Sequence, residues 1–189
     1  MKKRNIIAGL LGLAMCPGIS HAQSCGNDSI YKIPYKDTYV KQALVAENEF
    51  RVQQPKYVTL PTFAEAKEIL PKPIWAGHDE EINMYWRAWE IGVGNLRNPQ
   101  PGSGFIMPYI DTAYNGNIFM WDSSFILMFA RYGARFFPFQ NTLDNFYAKQ
   151  HPDGFICREI KADGADCFER YDPVSTGPNL IPWCEMVYF

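Results

Sequence analysis

The run Phe125-Ile126-Leu127-Met128-Phe129-Ala130 constrains this chain more than any other segment, because its apolar side chains leave no polar face. A helix that is apolar all round has to be covered all round. The stretch Ser123 to Tyr132 therefore predicts a buried helix, ended by Gly133, with other helices packed on it.

Candidates for those other helices lie on both sides. Between Asp79 and Leu96, the residues Ile82, Tyr85, Trp86, Trp89, Val93 and Leu96 recur three and four apart and form one apolar stripe. Asp79, Glu80 and Glu81 fall in the first turn, where they complement the helix dipole. A shorter helix is predicted from Thr62 to Leu70, with Thr62 and Glu65 spaced as a capping box and Pro71 as its stop. Gln140 to Gln150 carries Leu143, Phe146 and Tyr147 on one face, and Pro178-Asn179 opens a last apolar stretch from Leu180 to Phe189. Tyr57 to Leu60 could form a short strand, whereas Ile106 to Asn117 reads as a connector with turn residues at its end. No strand–helix alternation and no series of strands is apparent. The predicted class is all-α: two layers of helices, as in a helical toroid, preceded by an irregular leader over residues 23–74.

The 189 residues suffice for one ordinary domain, and 15% of them are aromatic, which fits either a bulky core or a ring-lined sugar cleft. A net charge of −2 without a basic run beyond the N-terminus argues against a nucleic-acid partner. Residues 1–22 have the three parts of a secretory signal: Lys2-Lys3-Arg4, the apolar Ile6 to Cys16, and Ser20-His21-Ala22 before the cleavage point. The apolar part is short of the roughly 20 residues of a membrane span, so a periplasmic or secreted protein with no span is expected. Export permits disulfides among Cys25, Cys157, Cys167 and Cys184. Cys157 and Cys167 flank a short polar loop and could pair, or all four could be free. With no Cys-x-x-Cys and scattered His, no metal or other cofactor is expected.

Trp121-Asp122-Ser123-Ser124-Phe125 opens the apolar helix, Asn145-Phe146 lies on the next, and Gly154-Phe155-Ile156 leads to Arg158. A flat ring, a carboxylate, an amide and a guanidinium together suit a sugar, although Asp122 alone would also serve as a helix cap and Arg158 alone as a surface ion pair. Taken in order, these motifs over residues 75–189 resemble the six-hairpin, (α/α)6-barrel glycosidases, nearest to family 63 glycoside hydrolases of the mannosylglycerate-hydrolase-like type, with trehalases as more distant relatives. The closing Pro178-Asn179-Leu180-Ile181-Pro182-Trp183 fits the start of the next inner helix in that pattern.

The resemblance implies that residues 75–189 are the first helices of an incomplete toroid, and that Trp121, Asp122, Asn145 and Arg158 bind a sugar in the −1 subsite. It implies an inverting hydrolysis of α-glucosides or α-mannosides, with a general acid and a general base about 6.5–9.5 Å apart. In the family both lie downstream of the matched motifs, so no residue here is expected to be catalytic and the chain alone is expected to be inactive. The alternatives are a non-catalytic carbohydrate-binding protein and a helical interaction protein.

Overall fold

A computed structural model describes residues 47–111, 115–152, 154–168 and 180–188. The signal segment 1–22, Cys25, most of the leader, and Pro178-Asn179 lie outside the described residues. Among the described residues there are five α-helices: α1 (Phe63–Ile69), α2 (Asp79–Gly94), α3 (Met120–Ala130), α4 (Thr142–Ala148) and α5 (Ile181–Tyr188). Four two-residue strands accompany them: β1 (Leu96–Arg97), β2 (Tyr109–Ile110), β3 (Ile118–Phe119) and β4 (Glu159–Ile160).

The expected all-α toroid is therefore corrected. The described part is mixed, 46% helical with two small antiparallel sheets. Leu96 pairs with Ile110 in one sheet and Ile118 with Ile160 in the other. The reason lies in the burial of the connectors. Leu96, Tyr109, Ile110, Ile118 and Ile160 are all at most 2% exposed, so their backbone amides are shut off from water and must pair with something. Cross-strand bonds satisfy them. Ile110 N–H, on the outer side of its pair, donates to Thr142 Oγ1 of α4 at 3.2 Å.

The helices follow their sequence signals more closely. Thr62 caps α1 in a reciprocal capping box with Glu65, whose carboxylate is held below its ordinary range chiefly by the Thr62 backbone N–H and then by the Thr62 hydroxyl. The stripe on α2 turns Trp89 and Val93 into the core, against a ring cluster in which Trp89 meets Phe129, Phe136 and Phe139 at centroid distances of 5.2, 6.0 and 6.2 Å. Gly133 makes room for that cluster: a Cβ there would stand 2.6 Å from Phe136 and 2.9 Å from Trp89. The helix ends at Gly94, and Leu96 leaves it to join β1.

The expectation that α3 is covered on every side also needs correction. Met120, Ser123, Ser124, Leu127 and Ala130 are buried, but Trp121, Phe125 and Phe129 remain 50%, 46% and 38% exposed. These three are spaced four apart and so share one face. No described residue covers that face fully; α5 reaches only its edge, where Trp183 meets Phe125 at 5.8 Å.

Residues 47–60 lie along the rest. Asn48 donates to Tyr147 O at 3.0 Å and to Gln150 Oε1 at 2.8 Å, and Phe50 packs against Tyr147 at 5.1 Å. Tyr57 to Leu60 is not a strand. The side chain of Asn98 accepts from Val58 N–H and donates to Val58 O, doing for one residue what a strand neighbour would do.

Candidate functional site

Trp121 and Asp122 stand side by side in the first turn of α3, both exposed. Asp122 is not the cap of this helix. Phe119 occupies that position and offers no side-chain bond. The exposed end is tied instead by the β3–β4 ladder, where Met120 N–H donates to Arg158 O at 2.8 Å. Ser124 Oγ turns back on Met120 O at 2.7 Å. Asp122 bonds to no described residue, so its carboxylate is open to a ligand and gains only from the positive end of the helix.

The Trp121 ring has neighbours of its own kind. It packs on Phe125 at 5.1 Å, and Phe125 packs on Trp183 at 5.8 Å. The sequence reading singled out Trp121 and missed these partners. The four-residue spacing from 121 to 125 was available as a signal, but the meeting with Trp183 depends on how α3 and α5 pack.

Arg158 reaches this region through its backbone. Its side chain lies over the Phe168 ring, with the guanidinium carbon 4.0 Å from the centroid. The Nε atom is buried without a hydrogen-bond partner among the described residues. Glu159 and Asp163 do not pair with it: Glu159 accepts from Asn117 at 2.9 Å, and Asp163 accepts from Ala165 N–H at 2.9 Å.

Asn145 is elsewhere in character. It is fully buried, and its amide is engaged at both ends by the backbone of the loop after residue 104. Oδ1 accepts from Ile106 N–H at 2.8 Å and Met107 N–H at 3.0 Å, while Nδ2 donates to Met107 O at 3.0 Å. The structure thus brings Trp121, Asp122 and the Arg158 backbone together, and puts Asn145 in the interior as a clamp.

Other ionisable groups sit in two places. At the α4–α5 seam, Glu185 accepts from Tyr147 Oη at 3.0 Å and, through a short bond, from Gln140 Nε2. Burial and then the Glu185 charge push nearby Asp144 up to about 6, against a smaller pull from Lys56. The same two causes raise the Tyr147 hydroxyl well above its usual range. Beyond the end of α4, His151 Nε2 lies 2.6 Å from Asp166 Oδ2. Cys157, Cys167 and Cys184 are free thiols. Burial raises Cys167 and Cys184 to about 11, which keeps them protonated and poorly nucleophilic. Among the described residues no group of three or more His, Cys, Asp or Glu could hold a metal ion, and no helix is long and apolar enough to cross a membrane.

Compared with known proteins, the chain matches no family model, no curated protein and no solved structure. What the arrangement defines is a mixed helical and sheet domain with an exposed aromatic face beside an unengaged carboxylate.

Proposed function

We propose that this chain supplies a sugar-gripping surface of an exported glycoside hydrolase acting on α-glucosides or α-mannosides. Trp121 is the apolar platform for the C–H face of a sugar ring, and Asp122 accepts hydrogen bonds from its hydroxyls. The observation that carries the reading is the joint exposure of Trp121 and Asp122 in one helical turn. A large ring left in water gains nothing from burial, an adjacent carboxylate without a described protein partner keeps its acceptor sites free, and together they suit a polar ligand with an apolar face.

Asn145 has a positioning role here, since it holds the backbone of 106–107 and has no surface of its own. No residue is assigned as acid or base. A non-catalytic sugar-binding protein would use the same two residues, and differs only in the absence of bond cleavage.

The test is a titration of the full chain with methyl α-mannoside, methyl α-glucoside and trehalose, followed by tryptophan fluorescence and ligand-observed NMR. Saturable binding of at least one sugar is expected, lost in Trp121→Ala and about tenfold weaker in Asp122→Asn, the loss of a charge-assisted bond. Absence of saturable binding to any of them, or binding indifferent to Trp121→Ala, would sink the proposal.

A further inference from the structure

A cleft of ≈ 350 Å³ opens where the end of α4 meets the loop after β4, lined in part by Arg51, Lys149, His151, Gly164 and Asp166. Its charges are unusually free. Arg51 is exposed, and its guanidinium pairs with no described residue. Lys149 Nζ has one hydrogen-bond partner among the described residues, the carbonyl of Ser103 at 3.2 Å, which leaves ammonium hydrogens available. Among the described residues, the one carboxylate of the lining is already hydrogen-bonded. Asp166 Oδ2 takes the His151 ring at 2.6 Å, and because a carboxylate can only accept, the ring donates through Nε2. The other oxygen, Oδ1, is a buried atom and faces no solvent in the cleft.

The walls are fixed. His151 N–H donates to Phe155 O at 2.8 Å and Gly154 N–H to His151 O at 2.9 Å, closing the turn that presents the imidazole. Gly164 is pressed on the Ser103 backbone so closely that a Cβ would stand 1.7 Å from its oxygen. That same oxygen holds Lys149, so the loop and the ammonium share one anchor. Two cations therefore line a concavity in which, among the described residues, the one carboxylate is hydrogen-bonded to an imidazole. A guanidinium fork beside an ammonium is the donor set that suits an oxyanion.

We propose that this cleft binds a small oxyanion, a phosphate or carboxylate group, between Arg51 and Lys149, with His151 set beside them by Asp166. The site is independent of the sugar surface on α3. Its test uses the full chain, titrated with inorganic phosphate and separately with acetate at ionic strength held constant with chloride, and read by calorimetry and by His ring NMR shifts. Saturable one-to-one binding of either anion is expected, and the preferred anion tells phosphate from carboxylate. Arg51→Gln and Lys149→Gln are each expected to weaken it about tenfold. Arg135→Gln, at an exposed residue outside the cleft, leaves it unchanged. Binding that is absent for both anions, or that Arg51→Gln and Arg135→Gln affect equally, would overturn the proposal. Arg51 carries the decision if Lys149→Gln proves unstable, because its side chain makes no bond to a described residue whose loss could unfold the protein.

Discussion

Replacing Asn145 with alanine separates a structural clamp from a ligand contact. The substitution removes three hydrogen bonds of 2.8, 3.0 and 3.0 Å from a fully buried side chain. It leaves Ile106 N–H, Met107 N–H and Met107 O without partners, and a buried polar group so orphaned costs about 1–3 kcal/mol. Met107 is partly exposed, so water can recover some of the loss at two of the three groups. The expected destabilisation is about 3–5 kcal/mol, among the larger single-residue effects. Asn145→Asp keeps the two acceptor bonds but loses the donor to Met107 O and buries a charge beside a carbonyl, so it is expected to be nearly as damaging. Urea unfolding followed by fluorescence gives both values from the shift in midpoint. A loss under ~1 kcal/mol for Asn145→Ala would refute the clamp. A stable variant with sugar affinity abolished would instead restore Asn145 as a sugar ligand.

Three further outcomes are expected. Gly164→Ala meets both a φ of +86° and a 1.7 Å clash with Ser103 O; a loss of about 3 kcal/mol or more in urea unfolding is expected, and an unchanged midpoint would contradict the packing described. Gly133→Ala drives a methyl into Phe136 and Trp89, with an expected loss of about 1–3 kcal/mol visible as a lowered melting temperature. For Asp144, an acid raised from 3.8 to about 6 by burial and by Glu185, the fold keeps a proton that the unfolded chain has released. Its contribution to stability therefore falls as pH rises from about 4 to about 6, and is flat outside that window. Asp144→Asn should flatten this slope and be relatively more stable than the parent above pH 6; an unaltered pH profile of unfolding would exclude the effect.

Some of this was legible residue by residue. The Thr62–Glu65 capping box and the stripe on α2 were readable because each depends on neighbours within a turn or two. The sheets were not. A two-residue strand has no periodicity, and the pairing of Ile118 with Ile160 is set by how distant segments are buried together. The exposed face of α3 escaped notice for a related reason: composition says that a helix seeks cover, and only packing says whether cover arrives. At the site, Trp121 and Asp122 were readable as a pair because they are adjacent. Asn145 was not, because the amide that can bind a sugar hydroxyl can equally bind a peptide group, and sequence does not distinguish the two.

The bond from Met120 N–H to Arg158 O has a consequence for slow motions. An amide in the first turn of a helix has no partner within that helix, and would exchange its hydrogen freely if α3 stood alone. Here its protection depends on residues 118–119 and 159–160 staying paired. Hydrogen exchange at this single amide therefore reports the opening of the β3–β4 pair, and the stretch that presents Trp121 and Asp122 can hold its position only as long as that opening is rare.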